Sequence, residues 1–162
     1  MKKLVLIRHA KSSWKYDVTD HQRPLKKRGF KDVYMVSNSF KKNSLIADFI
    51  VSSDAIRAKT TAEIFISNLN IDESIVRFTH DLYDFSGESL VRVIKSCDDI
   101  ISTLMIFGHN HALTDFVNTY GDKYIDNVPT SGLVIIEFDI DNWKDLKPGK
   151  TCYTLFPRDL KS

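Results

Sequence analysis

The chain has 162 residues, of which 43% are hydrophobic and 27% charged, and its net charge is +2. These values are ordinary for one water-soluble globular domain, which we expect to span residues 1–162. The basic residues are scattered, which argues against a nucleic-acid or membrane partner. The first apolar run is too short for a signal peptide, and Cys97 and Cys152 are far apart in the chain. A reduced, cytoplasmic protein is therefore predicted.

Short apolar runs alternate along the chain with segments of helical period. Residues 3–8 predict a strand, and residues 26–42 predict a helix from the spacing of Phe30, Val33 and Phe40. Further strands are predicted at 48–52, 75–79, 103–108, 133–139 and 151–156, and further helices around 61–69, 90–97 and 113–120. This order predicts an α/β three-layer sandwich with a mostly parallel central sheet, helices on both faces and an antiparallel edge from the C-terminal strands.

Polar side chains follow each of the first four predicted strands. Arg8 and His9 end the first strand, and Arg57 follows the second at the start of a helix. Asp84 comes after the third strand and His109 after the fourth. Ligands of open parallel sheets bind beyond the carboxyl ends of the strands. The sequence therefore predicts that these five side chains converge on one rim of the sheet.

This set of side chains favours phosphoryl transfer without a metal ion or another cofactor. Two guanidinium groups neutralise a phosphate dianion, and the helix starts after the second and fourth strands add N–H donors. A neutral histidine attacks phosphorus, while a second, protonated histidine stabilises charge on the phosphoryl oxygens. A carboxylic acid at the rim would protonate the leaving group.

The ordered segments RHA, RPLKKRG, SSDAIRAKTTA and GHN resemble the histidine phosphatase superfamily, also called phosphoglycerate-mutase-like. Within it, RHAKSSW, LYDFSGESL and VPTSGLVIIEFD are similar to the small SixA-type phosphohistidine phosphatases. The resemblance covers nearly the whole chain. It implies that His9 is the nucleophile that becomes phosphorylated, and that the phosphoryl group is bound by Arg8, Arg57 and His109.

The resemblance leaves the general acid open. The family's proton donor follows the third strand, where Asp84 is the best match and Glu88 the second, and SixA-type members often lack a clear acid. Ser12 and Lys15 are further substrate-binding candidates. Ser12 either bonds a phosphate oxygen or caps a turn. Lys15 stands where mutase-type members carry an asparagine, and it either supplies a charge or points into solvent.

The substrate prediction depends on the length of one connection. Only residues 85–102 separate Asp84 from the fourth strand, which leaves room for one helix but not for the helical lid of mutase-type members. An open site fits hydrolysis of a phosphorylated protein side chain. The predicted activity is removal of phosphate from phosphohistidine on a protein. The alternatives are a small-molecule phosphomonoester phosphatase of the same superfamily and a non-catalytic module that binds phosphate or phosphohistidine.

Two other hydrolase chemistries find weaker support. Cys152 and Arg158 have the C-x5-R spacing of cysteine-dependent phosphatases, but the intervening YTLFP lacks the glycine that a phosphate-binding loop needs. A metal-dependent hydrolase with His109, His111 and Asp115 as ligands is disfavoured, because a helix is expected to begin there and two nearby arginines would repel a divalent cation. Two more histidines have no partner at a recognisable spacing, namely His21 and His80.

Overall fold

The computed structural model describes residues 1–161 and contains one six-stranded sheet. The strands are β1 (Lys2–Arg8), β2 (Phe49–Ser53), β3 (Val76–Thr79), β4 (Thr103–Gly108), β5 (Leu133–Phe138) and β6 (Lys150–Leu155). Their order is β3-β2-β4-β1-β5-β6, and β3, β2, β4 and β1 are mutually parallel. β5 is antiparallel to both of its neighbours. The predicted α/β architecture with an antiparallel C-terminal part is confirmed.

Five α-helices surround the sheet: α1 (Lys27–Phe40), α2 (Ile56–Asn68), α3 (Glu88–Lys95), α4 (Ala112–Tyr120) and α5 (Pro157–Leu160). Strand β1 shows why its sequence is a continuous apolar run. Leu4 and Leu6 are buried with side chains of α3 and α4, whereas Val5 and Ile7 are buried with side chains of α1 and α2. Each fully buried side chain of this kind stabilises the fold by about 1.5–3 kcal/mol.

The register between β1 and β4 positions the candidate site. Arg8 pairs with Gly108, and the His9 N–H donates to the Gly108 carbonyl over 3.1 Å. Because the two strands are parallel and in this register, the next residue of each strand lies at the same edge of the sheet. The RH and GH dipeptides are distant in sequence, yet their histidines become neighbours for this reason.

The connection from β3 to β4 is short. It contains a single 3₁₀ turn, His80–Leu82, followed by α3. The carboxyl end of the sheet is therefore not covered by an inserted domain at this connection. Across residues 1–161, none of the helices combines the length and the apolar character needed to cross a bilayer.

Candidate active site

His9 is held as a neutral imidazole with a defined tautomer. The residue is 7% exposed, and its Nδ1 lies 2.7 Å from the carbonyl oxygen of Ala10. A carbonyl oxygen only accepts, so Nδ1 carries the proton and Nε2 keeps a free lone pair. Burial lowers the pKa of His9 well below its usual 6.5. The hydrogen bond to Ala10 raises the pKa, but the nearby His109 and Arg57 lower it further. The neutral, nucleophilic form is the stable one.

Hydrogen bonds fix the backbone that carries His9. The Ala10 N–H donates to Thr61 Oγ1 over 2.9 Å, and the Thr61 hydroxyl donates to the Arg57 carbonyl over 2.7 Å. On the other side, the buried Ser131 donates its N–H to the His9 carbonyl over 3.1 Å. Ser131 has a φ of 62°, a left-handed conformation that non-glycine residues rarely adopt. The loop after β1 is thus attached both to α2 and to the segment before β5.

The two arginines present buried donors around His9. Arg57 is 2% exposed; its Nη1 donates to the Asp20 carbonyl over 2.7 Å and its Nη2 to Asp20 Oδ2 over 3.0 Å. Arg8 Nη1 donates to the Val128 carbonyl over 3.0 Å. Within residues 1–161, the Nε atoms of Arg8 and Arg57 are buried without a hydrogen-bond partner. Such donors are costly to bury unpaired, and phosphate oxygens match their geometry.

His109 lies beside His9, with the ring centroids 5.2 Å apart. His109 is 1% exposed, and its Nε2 lies 2.8 Å from Ser53 Oγ. Burial, followed by the positive charge of Arg57, lowers the pKa of His109 to about 3. The protein without substrate therefore contains a neutral His109 at pH 7. The protonated form predicted from the sequence requires a bound dianion, whose negative charge raises the pKa of a neighbouring imidazole.

Asp20 contributes a carboxylate to this site that was not predicted from the sequence. Asp20 accepts hydrogen bonds from the Tyr83 hydroxyl over 2.5 Å, from Arg57 over 3.0 Å and from Arg23 Nε over 3.0 Å. Burial raises the pKa of Asp20, but these hydrogen bonds outweigh it and bring the pKa to about 2. The available signal was its position three residues before Arg23, in the segment that leads into RPLKKRG.

Asp84 lies in the connection between β3 and α3, and backbone N–H groups hold its carboxylate. Its oxygens accept the backbone N–H groups of Ser86, Gly87 and Leu90 over 3.0–3.2 Å. Ser86 and Gly87 directly precede α3, and Leu90 lies in its first turn, where the N–H groups have no partner within the helix. Asp84 therefore caps a helix, and this geometry does not favour the predicted role of proton donor. Glu88, the second candidate, is an exposed residue of the same helix start.

The two further substrate-binding candidates lie in the loop after His9. Ser12 is half-buried and forms an isolated antiparallel bridge with Leu25. Lys15 is exposed, and its backbone N–H donates to Ser13 Oγ over 3.1 Å. These contacts position the loop backbone, and a phosphate-binding role for either side chain stays a prediction.

The structure also gives no support to a cysteine mechanism. Cys152 lies inside β6, with its Sγ 3.5 Å from the Ile135 carbonyl. Partial burial and the Glu137 carboxylate raise the pKa of the thiol, which disfavours the nucleophilic thiolate. The Arg158 guanidinium lies over the Phe156 ring rather than beside Cys152 in an anion-binding loop.

The histidines outside the site give two results. Within residues 1–161, His109 does not join His111 and Asp115 in a cluster of three ligand atoms that could share a metal ion. His21 and His80 have no partner at a recognisable spacing in the sequence, but in the structure both rings lie against the Asp54 carboxylate. The sequence could not show this pairing, since the three residues come from three separate segments.

The geometry described so far can be compared with known proteins. The family model described as "Histidine phosphatase superfamily (branch 1)" matches residues 4–89. This chain belongs to that superfamily. The matched region includes most of β1, together with His9, Arg57 and Asp84. As a member of the histidine phosphatase superfamily, the chain is a phosphatase.

Relatives of this histidine phosphatase occur in bacteria and plants. An uncharacterized protein of Mycobacterium tuberculosis is 26% identical over 153 residues, which is 88% of this chain and 93% of that protein. An uncharacterized chloroplastic protein of Arabidopsis thaliana is 33% identical over 118 residues, which is 67% of this chain and 54% of that protein.

Solved structures share the fold. The protein histidine phosphatase SixA complexed with tungstate superposes with a TM-score of 0.84 at 17% identity, covering 98% of this chain and 99% of that one. A mycobacterial glucosyl-3-phosphoglycerate phosphatase has a TM-score of 0.67 at 11% identity, covering 94% and 97%. The predicted SixA-type architecture is confirmed, and the same fold supports phosphatases described with different substrates.

Proposed function

We propose that this histidine phosphatase hydrolyses phosphohistidine on a protein through a phosphorylated His9 intermediate. The tautomer of His9 carries this proposal. Its Nδ1–H donates to the Ala10 carbonyl over 2.7 Å, so the lone pair of Nε2 is available for attack. Arg8 and Arg57 place buried guanidinium donors at the same end of the sheet, where they would bind the phosphoryl oxygens.

The proposed reaction has two displacements at phosphorus. In the first, His9 Nε2 attacks phosphorus and the bond between phosphorus and the substrate's imidazole nitrogen breaks. A substrate ring protonated on its second nitrogen leaves as neutral imidazole. In the second, water attacks phosphorus, the bond to His9 breaks so that His9 leaves as neutral imidazole, and both protons of the water stay with the released phosphate, which leaves as dihydrogen phosphate. The Nδ1–H of His9 stays bonded to Ala10 throughout, which stabilises the cationic phosphorylated ring.

The carboxylates near the site favour a nitrogen leaving group. An alkoxide leaving from a phosphate ester needs a proton from an acid, whereas the imidazole of the proposed substrate leaves neutral. Asp20, with a pKa of about 2, is ionised and paired with Arg57. Asp84 is engaged with the N-terminus of α3. Asp20 carries no proton to donate and Asp84 is held by the backbone at the start of α3, so phosphohistidine fits this site better than a phosphate ester does.

Exposed aromatic rings favour a protein as the carrier of that phosphohistidine. Phe85 is 44% exposed, and its ring centroid lies 5.2 Å from that of His109. Trp14 is 78% exposed and stacks on the Arg23 guanidinium at 3.5 Å. Aromatic and arginine side chains are enriched where proteins contact each other. We further propose that the reaction takes place in the cytoplasm, where unpaired cysteines such as Cys97 stay reduced.

A comparison of substrates tests the proposal. The purified chain is incubated with a phosphohistidine carrier protein and with two alkyl phosphate esters, glucose 6-phosphate and 3-phosphoglycerate, whose alkoxide leaving groups need a proton. We expect kcat/KM on the phosphoprotein to exceed that on the esters by about 10²-fold or more, because the esters lack acid assistance. Equal or faster turnover of the esters would contradict the substrate assignment. Binding of the phosphoprotein without turnover would identify a non-catalytic module instead.

The intermediate is tested separately by rapid quenching with radiolabelled phosphoprotein. The label on the chain should be stable to base and labile to acid, as expected for a phosphorus–nitrogen bond. His9→Ala should lose both label and activity, whereas Cys152→Ser, the control for the thiol mechanism, should keep both. Turnover without any label on the protein would refute the covalent route.

A further inference from the structure

The proposed phosphate pocket consists of His9, Arg8, Arg57 and His109. A second cluster of side chains that can bind metal ions lies beside this pocket, and the proposed reaction does not use it. His21 Nε2 lies 2.8 Å from Asp54 Oδ1, and His80 Nδ1 lies 3.2 Å from both Asp54 oxygens. One ligand atom from each residue lies within 4.8 Å of the other two. We call these three residues, His21, Asp54 and His80, the rim cluster.

Three separate segments of the fold build the rim cluster. His21 belongs to the 3₁₀ turn Asp20–Gln22, Asp54 follows β2, and His80 follows β3. The Asp54 N–H donates to the Thr79 carbonyl over 3.3 Å, so the pairing of β2 with β3 brings Asp54 beside His80. Assembly of the cluster thus depends on tertiary structure.

Tyr83 fixes the orientation of the histidine rings. The His21 ring meets the Tyr83 ring edge-on, with centroids 4.9 Å apart and an interplanar angle of 85°. The His80 ring lies 5.3 Å from the same Tyr83 ring. Tyr83 is in turn hydrogen-bonded to Asp20, so the cluster is connected to the phosphate pocket. Ring positions held in this way reduce the conformational freedom that binding a ligand would remove.

We propose that the rim cluster binds a divalent transition-metal ion, with Zn²⁺ as the reference ion. Two imidazoles and one carboxylate are a donor set typical of zinc sites with three protein ligands and one open position. Tetrahedral zinc holds such ligand atoms about 3.3 Å apart. The observed separations, from 2.8 Å to at most 4.8 Å, need only small side-chain adjustments to reach this value.

Charge and exposure fit the same ion. Asp54 contributes one negative charge, and the guanidinium of Arg57, in the helix that follows Asp54, is already paired with Asp20. The side chains of His21, Asp54 and His80 are 32%, 34% and 72% exposed, so an ion can enter from solvent and keep a water ligand. Mg²⁺ and Ca²⁺ are not the expected ions, because they prefer sites made of oxygen ligands.

Zinc titration of the purified full chain against a competing fluorescent indicator tests the site. We expect one Zn²⁺ per chain, and His21→Gln and His80→Gln should each weaken zinc affinity at least about tenfold, because each removes a direct ligand. Two matched controls should keep wild-type affinity. His111→Gln removes an exposed histidine outside the cluster, and Cys152→Ser removes the exposed thiol, which is the strongest competing zinc ligand on the surface.

Cobalt provides an independent readout that does not depend on activity. Co²⁺ bound to the wild-type chain should give the intense visible absorption of a four-coordinate ion, and His80→Gln should lose it. Unchanged zinc affinity in both histidine variants would overturn the proposal. So would the loss of zinc binding in Cys152→Ser alone, since that would place the ion at the thiol.

Discussion

Acidification from pH 7 to pH 5 should remove about 2 kcal/mol of folding stability through His109 alone. The pKa of this imidazole is about 3 in the folded protein, against about 6.5 in an unfolded chain. Between those two values the unfolded chain binds a proton that the folded protein does not. The contribution of His109 to stability is therefore complete above pH 6.5 and falls by about 1.4 kcal/mol per pH unit below it. At pH 5 the loss amounts to about 2 kcal/mol.

Urea unfolding of wild type and of His109→Asn at pH 7 and pH 5 measures this contribution. The quantity of interest is the change in unfolding free energy between the two pH values. Wild type should lose about 2 kcal/mol more than the variant. The pKa of His9 is also lowered, but His9 is present in both proteins and its contribution cancels to first order. His111→Gln, which removes an exposed histidine, should behave like wild type.

Equal pH dependence in wild type and His109→Asn would refute the reasoning. It would mean that the folded protein accepts a proton on His109 at pH 5 without penalty. The desolvation argument for the whole pocket would then fail, because His9 is buried in the same surroundings.

Three further predictions concern the surroundings of His9. Asp84→Asn keeps a hydrogen-bond acceptor for the start of α3 but cannot donate an acid proton. The kcat of this variant on phosphohistidine should therefore stay near the wild-type value. A fall in kcat of about 10²-fold or more would show that Asp84 is the general acid. Gly29→Ala places a Cβ against the Lys11 backbone and should lower the free energy of unfolding, measured in urea, by about 1–3 kcal/mol. Gly108→Ala is the control and should cost less, because the nearest atom to its Cβ is 3.8 Å away. Thr61→Val leaves the buried Ala10 N–H unpaired and should lower the free energy of unfolding by about 1–3 kcal/mol. Thr61→Ser keeps the hydroxyl, so its stability in thermal unfolding should lie close to that of wild type.

The strand ends of this site could be predicted from the sequence because they follow from strand periodicity. His9 and His109 each come directly after a buried apolar run, and parallel pairing brings such positions to one edge. Arg57 is equally predictable, since it lies in the first turn of the helix that follows β2. In each case the residue lies only a few positions after the end of its strand, so its place in the fold depends little on the conformation of a loop.

The carboxylates could not be predicted in the same way. Asp84 lies in an irregular connection and Asp20 begins a short 3₁₀ turn, and each carboxylate accepts from the donors that tertiary folding places nearest. For Asp84 these are backbone N–H groups at and just before the start of α3, and for Asp20 they are Arg57, Tyr83 and Arg23. The meeting of His21 with His80 has the same origin, because neither spacing nor periodicity encodes a contact between two turns.

The ion pair between Asp20 and Arg57 has a consequence for the release of product. In the protein without substrate, Asp20 acts as an internal counter-ion for a guanidinium that is 2% exposed. Under the proposed reaction, an arriving phosphoryl group exchanges with this carboxylate instead of meeting an unpaired cation. The returning carboxylate competes with inorganic phosphate in the same way, which lowers the affinity for product and prepares the pocket for the next turnover.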